Sequence, residues 1–163
     1  MNNAEIHLSE AVGRVREFLK SKDCNCEIFF TNETIFTVED ASRAVGAPPE
    51  EILKSLMLLA DDVPVLALMS GINRVDLKKI KQVLDARKVR MADPGYVYDY
   101  SGFKIGGVPP VGYPEPLKTL MDEDLFSFPV VWAAAGNDHS FFPVSPASLL
   151  VMTSGEKCDI RKK

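Results

Sequence analysis

The chain has 163 residues, 46% of them hydrophobic, and a net charge of −4. That length buries roughly two-thirds of the unfolded surface in one compact domain, expected over residues 1–163, and that charge argues against a protein that coats nucleic acid by bulk electrostatics. No apolar run approaches the roughly 20 residues needed to cross a bilayer. Met1-Asn2-Asn3-Ala4-Glu5 lacks a basic segment leading into an apolar one, so a cytoplasmic protein without membrane contact is expected. The three cysteines make no even framework, and Cys24-Asn25-Cys26 is too closely spaced for a zinc knuckle, so all three are expected as free thiols. His7 and His139 stand without ligand spacing, and neither a metal nor a cofactor is expected.

Leu8, Val12, Val15 and Leu19 recur at helical spacing and predict an amphipathic helix from about Ser9 to Ser21. Glu27 to Thr31 reads as a short strand. Thr37 three residues before Asp40 is an N-cap signal, and the helix it opens, Ala41 to Val45, stops at Gly46 with Pro48 and Pro49 beyond. Ile52 to Ala60 is nearly all apolar and predicts a strand covered on both faces. Asp61-Asp62-Val63-Pro64 turns the chain into an antiparallel partner, Val65 to Met69, which forms the middle of the sheet. Lys54 shares a face with Ile52, Leu56 and Leu58 in that strand. Either it lies near the strand end and reaches water, or it enters a cleft to meet a phosphate, carbonyl or carboxylate.

Val75 to Leu84 has helical periodicity with Leu77, Ile80, Val83 and Leu84 inward. From Arg74 to Arg90 seven basic residues (Arg74, Lys78, Lys79, Lys81, Arg87, Lys88, Arg90) face two acids; this is a solvated face or a surface for a phosphate backbone. Asp93-Pro94 starts another helix that Gly102 ends. Leu117 to Met121 reads as a short helix or turn before an acidic patch, Asp122-Glu123-Asp124. Val130 to Gly136, the turn Asn137-Asp138-His139, and Ser140 to Val144 make a second hairpin. Ser145-Pro146 caps a helix to about Met152, and Gly155 to Ile160 adds an edge strand. Hairpins mixed with helices predict an α+β fold, a mixed, mostly antiparallel sheet surrounded by helices.

Gly102 to Gly112 packs four glycines and two prolines into eleven residues. Gly106 and Gly107 admit backbone shapes closed to other residues and let a ligand approach bare amides, while Pro109 and Pro110 stiffen the exit. A tight connection and a ligand cradle fit this loop equally well. No nucleophile elbow, Walker loop, dinucleotide fingerprint or histidine-glutamate metal motif is present. His139 beside Asp138 is the one acid/base pair, in a hairpin turn where solvation is the commoner role. A strand lysine and a loop of free amides suit a site that positions a charged, already reactive ester and stabilises developing negative charge.

Thr37-Val38-Glu39-Asp40-Ala41 with Gly46, then Ile52-Leu53-Lys54-Ser55-Leu56, then Gly106-Gly107-Val108-Pro109-Pro110-Val111-Gly112, then Ala135-Gly136 and Ser145-Pro146-Ala147-Ser148-Leu149-Leu150 occur in an order that resembles the YbaK/prolyl-tRNA-synthetase-associated editing family, from about Thr31 to Ile160. The resemblance implies a freestanding aminoacyl-tRNA deacylase that removes a small wrong amino acid, such as alanine or cysteine, from tRNA, with tRNA for proline expected. It implies Lys54 and Gly106 as catalytic residues, and Thr37, Ser55, Gly107, Val108, Pro109, Pro110 and Gly136 as substrate contacts. Ser55 occupies a position that varies among subfamilies, so the amino acid removed, alanine, cysteine, serine or threonine, stays open. The alternative is an inactive module of the same fold that holds a tRNA acceptor end or an aminoacyl nucleotide through the Arg74 to Arg90 surface. The acidic total charge predicts transient tRNA contact, with a synthetase or elongation factor as the partner that brings it.

Overall fold

The computed structural model describes the backbone of residues 3–163 and the side chains of residues 10–163; His7 and Leu8 of the sequence reading have side chains outside the described residues. Helix α1 (Asn3–Ser21) buries Val12, Val15 and Leu19, the predicted stripe. It leads through an extended stretch to β1 (Phe29–Phe30), shorter than the sequence suggested. Cys24 and Cys26 are joined by a disulfide, which corrects the expectation of three free thiols: the chain bends between them and brings their Cα atoms to 5.4 Å, within disulfide reach. Cys158 is free, and burial and the neighbouring Glu156 carboxylate push its thiol up to about 11.

Helix α2 (Val38–Val45) closes a capping box. Thr37 Oγ1 accepts from the Asp40 N–H at 3.1 Å, the Asp40 carboxylate accepts from the Thr37 N–H at 3.2 Å, and Gly46 ends the helix at φ 71°. Strands β2 (Leu53–Ala60) and β3 (Val63–Ser70) pair along their whole length. Their two-residue turn uses Asp61 and Asp62 at φ 48° and 66°, the left-handed pair that matches strand twist and that aspartate tolerates. Helix α3 (Leu77–Leu84) is capped by Asp76. The exit of the basic run is a short strand, β4 (Val89–Met91), followed by α4 (Pro94–Ser101), capped by Asp93 through the Tyr96 N–H at 2.8 Å.

The segment expected as a short helix or turn near Leu117 is strand β5 (Lys118–Asp122), buried beyond its first residue. Five residues are too few to separate helical from strand periodicity, and pairing to β3 decides the outcome. Strands β6 (Val131–Ala134) and β7 (Ser140–Val144) form the second hairpin, and α5 (Pro146–Thr153) and β8 (Glu156–Cys158) complete the order. The fold is α+β, with strands mostly antiparallel as expected. They divide into two sheets, β4-β2-β3-β5-β8 and β1-β7-β6, joined at a bridge between Ile52 and Trp132. In the larger sheet β5 is parallel to both neighbours.

One face of β2 and β3, with Leu53, Met57, Leu66 and Leu68, packs with Val15 and Leu19 of α1 and Leu149 of α5. The other, with Leu58, Ala67 and Met69, packs on Ile80 of α3. Asp122 closes the far edge. Fully buried, it accepts from the Ile160 N–H at 2.9 Å and from the Arg161 guanidinium at 3.3 Å. Asp122→Ala is expected to cost about 3 kcal/mol, because it strands a buried N–H and an arginine together. Thermal melting reads the loss, and hydrogen exchange places it at β8.

Candidate active site

Between Leu58, where β4 takes over, and the bridge at Ile52, the outer edge of β2 has no strand partner among the described residues. A cavity of about 340 Å³ opens along that edge, so that six consecutive residues, Ile52 to Met57, line it from both faces of the strand. Thr37, Val38 and Ala41 of the α2 entry form one wall, Met91, Ala92, Pro94 and Val97 of β4 and α4 another, and Ile105, Gly106 and Val108 of the glycine loop a third. Most of this surface is apolar. Phe36 and Ile105 stand at its edge, exposed by 78% and 65%. Phe36 remains outside although its main chain is fixed by the Asp40 carboxylate, 3.1 Å from its N–H.

Lys54 reaches the cavity from the face it shares with Leu56 and Leu58 and donates from Nζ to the Asn73 carbonyl at 2.5 Å. Asn73 is held in turn by its side chain, which donates to Asp124 at 2.7 Å. Burial, and after it the positive charge of Arg74, lower the Lys54 pKa below its ordinary value. Neither Asn73 nor Asp124 carried a sequence signal, since an asparagine in a turn and an acid in an acidic patch are ordinary surface residues.

The glycine loop is a turn in which the Gly107 N–H donates to the Lys104 carbonyl at 3.0 Å and Gly106 sits at φ 92°, the third position where a type II turn needs glycine. Gly107 is therefore spoken for, whereas the N–H groups of Gly106 and Val108 have no acceptor among the described residues. The loop is tied down from behind. Tyr113 donates from its hydroxyl to the Pro109 carbonyl at 2.8 Å and packs edge-on to Phe103 at 5.3 Å, and the Arg14 guanidinium of α1 covers Phe103 at 4.6 Å.

Of the residues singled out in the sequence, Thr37, Lys54, Ser55, Gly106 and Val108 meet at this cavity. Gly107 and Pro109 are buried beside it, and Pro110 faces a second cavity of about 410 Å³ behind the loop. Gly136, at φ 110°, packs against α1, where a Cβ would come within 2.8 Å of the Ala11 carbonyl. His139 and Asp138 pair at 3.1 Å in the β6–β7 turn and do not line the cavity.

A family model described as an aminoacyl-tRNA editing domain matches residues 32–151. The chain belongs to the aminoacyl-tRNA editing domain family. Among curated relatives of this editing domain, a proline–tRNA ligase of Listeria innocua is 28% identical over 119 residues, which are 72% of this chain and 21% of the ligase. The chain thus spans about a fifth of that synthetase. YwhH of Bacillus subtilis, an uncharacterized protein, is 32% identical over 114 residues, 69% of this chain and 72% of YwhH. EbsC of Enterococcus faecalis, a candidate Cys-tRNA(Pro)/Cys-tRNA(Cys) deacylase, is 24% identical over 136 residues and 83% of each chain. A solved structure of a candidate trans-editing enzyme for prolyl tRNA synthetase superposes with a TM-score of 0.88 at 35% identity, covering 94% of this chain and 98% of the other. No described helix is long and apolar enough to cross a membrane.

Proposed function

We propose that the chain acts as one freestanding editing unit that hydrolyses a small amino acid from mischarged tRNA, with tRNA for proline the expected carrier. The observation that carries this reading is the shared cavity, which Lys54 lines together with Gly106 and Val108, two loop residues whose N–H groups have no acceptor among the described residues. Water adds to the ester carbonyl, the carbon–oxygen bond to the terminal ribose breaks, and free amino acid and tRNA leave. The ester is already reactive, so the protein's part is to place it and to stabilise the negative charge that develops on the carbonyl oxygen. A single preorganised donor of this kind is worth roughly 10²–10³ in rate. The Lys54 ammonium positions the substrate, and the ribose hydroxyl beside the ester helps activate the water. Thr37 and Ser55 complete the contacts around the aminoacyl group. Gly107, Pro109, Pro110 and Gly136 hold the loop and the neighbouring turn in place.

Two surfaces are available to the rest of the tRNA. Phe36 and Ile105 offer an apolar rim on which a terminal base stacks, and exposed Arg74, Lys78, Lys81, Arg87 and Lys88 offer charge for the phosphate backbone. With a net charge of −4 the contact is brief, and a synthetase or elongation factor presents the charged tRNA. The test is a panel of tRNA charged with alanine, cysteine, serine, threonine and proline. Enzyme-dependent release of at least one small amino acid, with prolyl-tRNA spared, is the expected result. Salt-dependent tRNA binding without release from any of them would leave the inactive acceptor-end binding module.

A further inference from the structure

Of the three polar side chains that line the cavity, Thr37 Oγ1 is taken by the Asp40 N–H, Ser55 Oγ is buried without a partner, and Lys54 alone carries a charge. The way Lys54 is held sets it apart from a lysine that serves the fold. It is the second residue of β2, opposite Met69, and the chain leaves β3 one residue later, at Ser70. The turn that follows carries the Asn73 carbonyl to Lys54 Nζ, from which it accepts at 2.5 Å. A neutral carbonyl anchors the ammonium and does not cancel its charge. Lys54 has no ion pair among the described residues, and two of its three N–H groups are left for a ligand. Burial and then the Arg74 charge act on it, both lowering its pKa, as befits a cation kept without a counter-ion.

The carboxylate stands one step further out. Asp124 accepts from the Asn73 side-chain amide at 2.7 Å, and because a carboxylate only accepts, it fixes which end of that amide faces it. The turn is pinned elsewhere too: the Gly71 N–H donates to the Ile52 carbonyl at 2.7 Å, the Asn73 N–H to the Ser70 carbonyl at 3.0 Å, and the Ser70 hydroxyl to the Glu50 carbonyl at 2.7 Å. Asp124 is itself tied, its N–H donating to the fully buried Asp122. An acid placed against the ammonium would hold it as well but would cancel the charge; here the acid holds the residue whose backbone holds the ammonium. A lysine side chain turns about several bonds, and fixing its far end removes that freedom before a substrate arrives.

We propose that Asn73 and Asp124 are positioning residues for the deacylation: Asp124 holds the Asn73 side chain, and the Asn73 carbonyl holds the Lys54 ammonium in place with its charge free for the aminoacyl ester. The proposal rests on the deacylase reading above and deepens it. Neither residue lines the cavity, so both act through Lys54.

The test is a double-mutant cycle on release from charged tRNA, with Lys54 itself observed by NMR. Asn73→Ala is expected to lower release by on the order of tenfold, and to change it by less than about twofold in the Lys54→Ala background, because its effect passes through an ammonium no longer there. Asp124→Ala reproduces the loss from the other side of the bond, and Asp124→Asn, which keeps an acceptor oxygen, restores release. An equal factor of loss in both backgrounds means that the turn serves the fold and overturns the proposal, as does a loss in Asp124→Asn as deep as in Asp124→Ala. In the spectrum of the free protein the Lys54 ε-methylene protons, assigned by their absence from Lys54→Ala, are expected apart in wild type and merged in Asn73→Ala and Asp124→Ala. Protons already merged in wild type, or unmoved by either variant, overturn it as well. This readout needs no substrate, so it decides the positioning even if wild type releases nothing, an outcome that would sink the deacylase reading instead.

Discussion

Lys54→Ala is expected to lower amino acid release from charged tRNA by on the order of 10² or more, because it removes the charge that places the ester against the loop amides. The fold should survive: Lys54 is half-buried on β2 and its ammonium makes a single bond, to the Asn73 carbonyl, so the melting temperature is expected to move by a few degrees at most. The pH profile tests the same group. Burial and Arg74 hold the Lys54 pKa below the ordinary 10.5, and the charged form is the one that acts. Enzyme-dependent release should therefore begin to fall, as pH rises, below the range in which a free lysine loses its proton. Lys54→Arg keeps its charge throughout and is expected to be slower, since a planar guanidinium does not replace a point charge, but without that alkaline decline. A decline of the same shape in Lys54→Arg, after correction for spontaneous ester hydrolysis, would assign it to another group.

Gly107→Ala is expected to be the most damaging single methyl in the loop. A Cβ there would lie 2.5 Å from the backbone carbonyl carbon and Cα of Asn137 in the β6–β7 turn, and neither can yield as a side chain would. The turn is itself braced, since the Asn137 side chain accepts from the His139 N–H at 2.9 Å and the Ser140 hydroxyl at 2.7 Å. A loss of about 3 kcal/mol or more follows, read as a fall in melting temperature of about 6–12 °C for a chain of this size. Release from charged tRNA should drop with it, because a displaced loop carries the Gly106 and Val108 amides away from the cavity. Gly13→Ala is the matched control. Nothing lies within 4 Å of a Cβ at that position in α1, and removing a helix glycine is expected to stabilise by about 0.5–1 kcal/mol.

Where structure is set locally, the sequence carried it. The Thr37–Asp40 capping box, the Asp61-Asp62 turn and the Ser140–Val144 strand follow from neighbouring residues, and Lys54 showed itself as a charge within an apolar strand. What was lost depends on distant parts of the chain. Lys118–Asp122 becomes a strand through pairing with β3 and β8, and Asp122, in a run that reads as a solvated acidic patch, is buried because the Ile160 N–H and Arg161 come to meet it. The strands form two sheets that meet at the Ile52–Trp132 bridge, a pairing between residues 80 positions apart. The same limit applies to the site. Met91, Ala92, Pro94 and Val97 form a cavity wall, yet in sequence an apolar residue that lines a cavity looks like one that fills a core. The Gly107 amide, read as bare, is consumed inside its own turn, while the orphaned hydroxyl of Ser55 appears only once its surroundings are packed.

On the proposed function, the space between the open edge of β2 and the glycine loop receives the aminoacyl end of tRNA. Amide chemical shifts recorded while a non-hydrolysable aminoacyl-adenosine amide is added test it most directly. Saturable shifts concentrated at Ser55, Ile105, Gly106 and Val108 are expected, and their loss in Lys54→Ala. Shifts confined to the second cavity around Tyr113 and Met152, or none at saturating analogue, would contradict it.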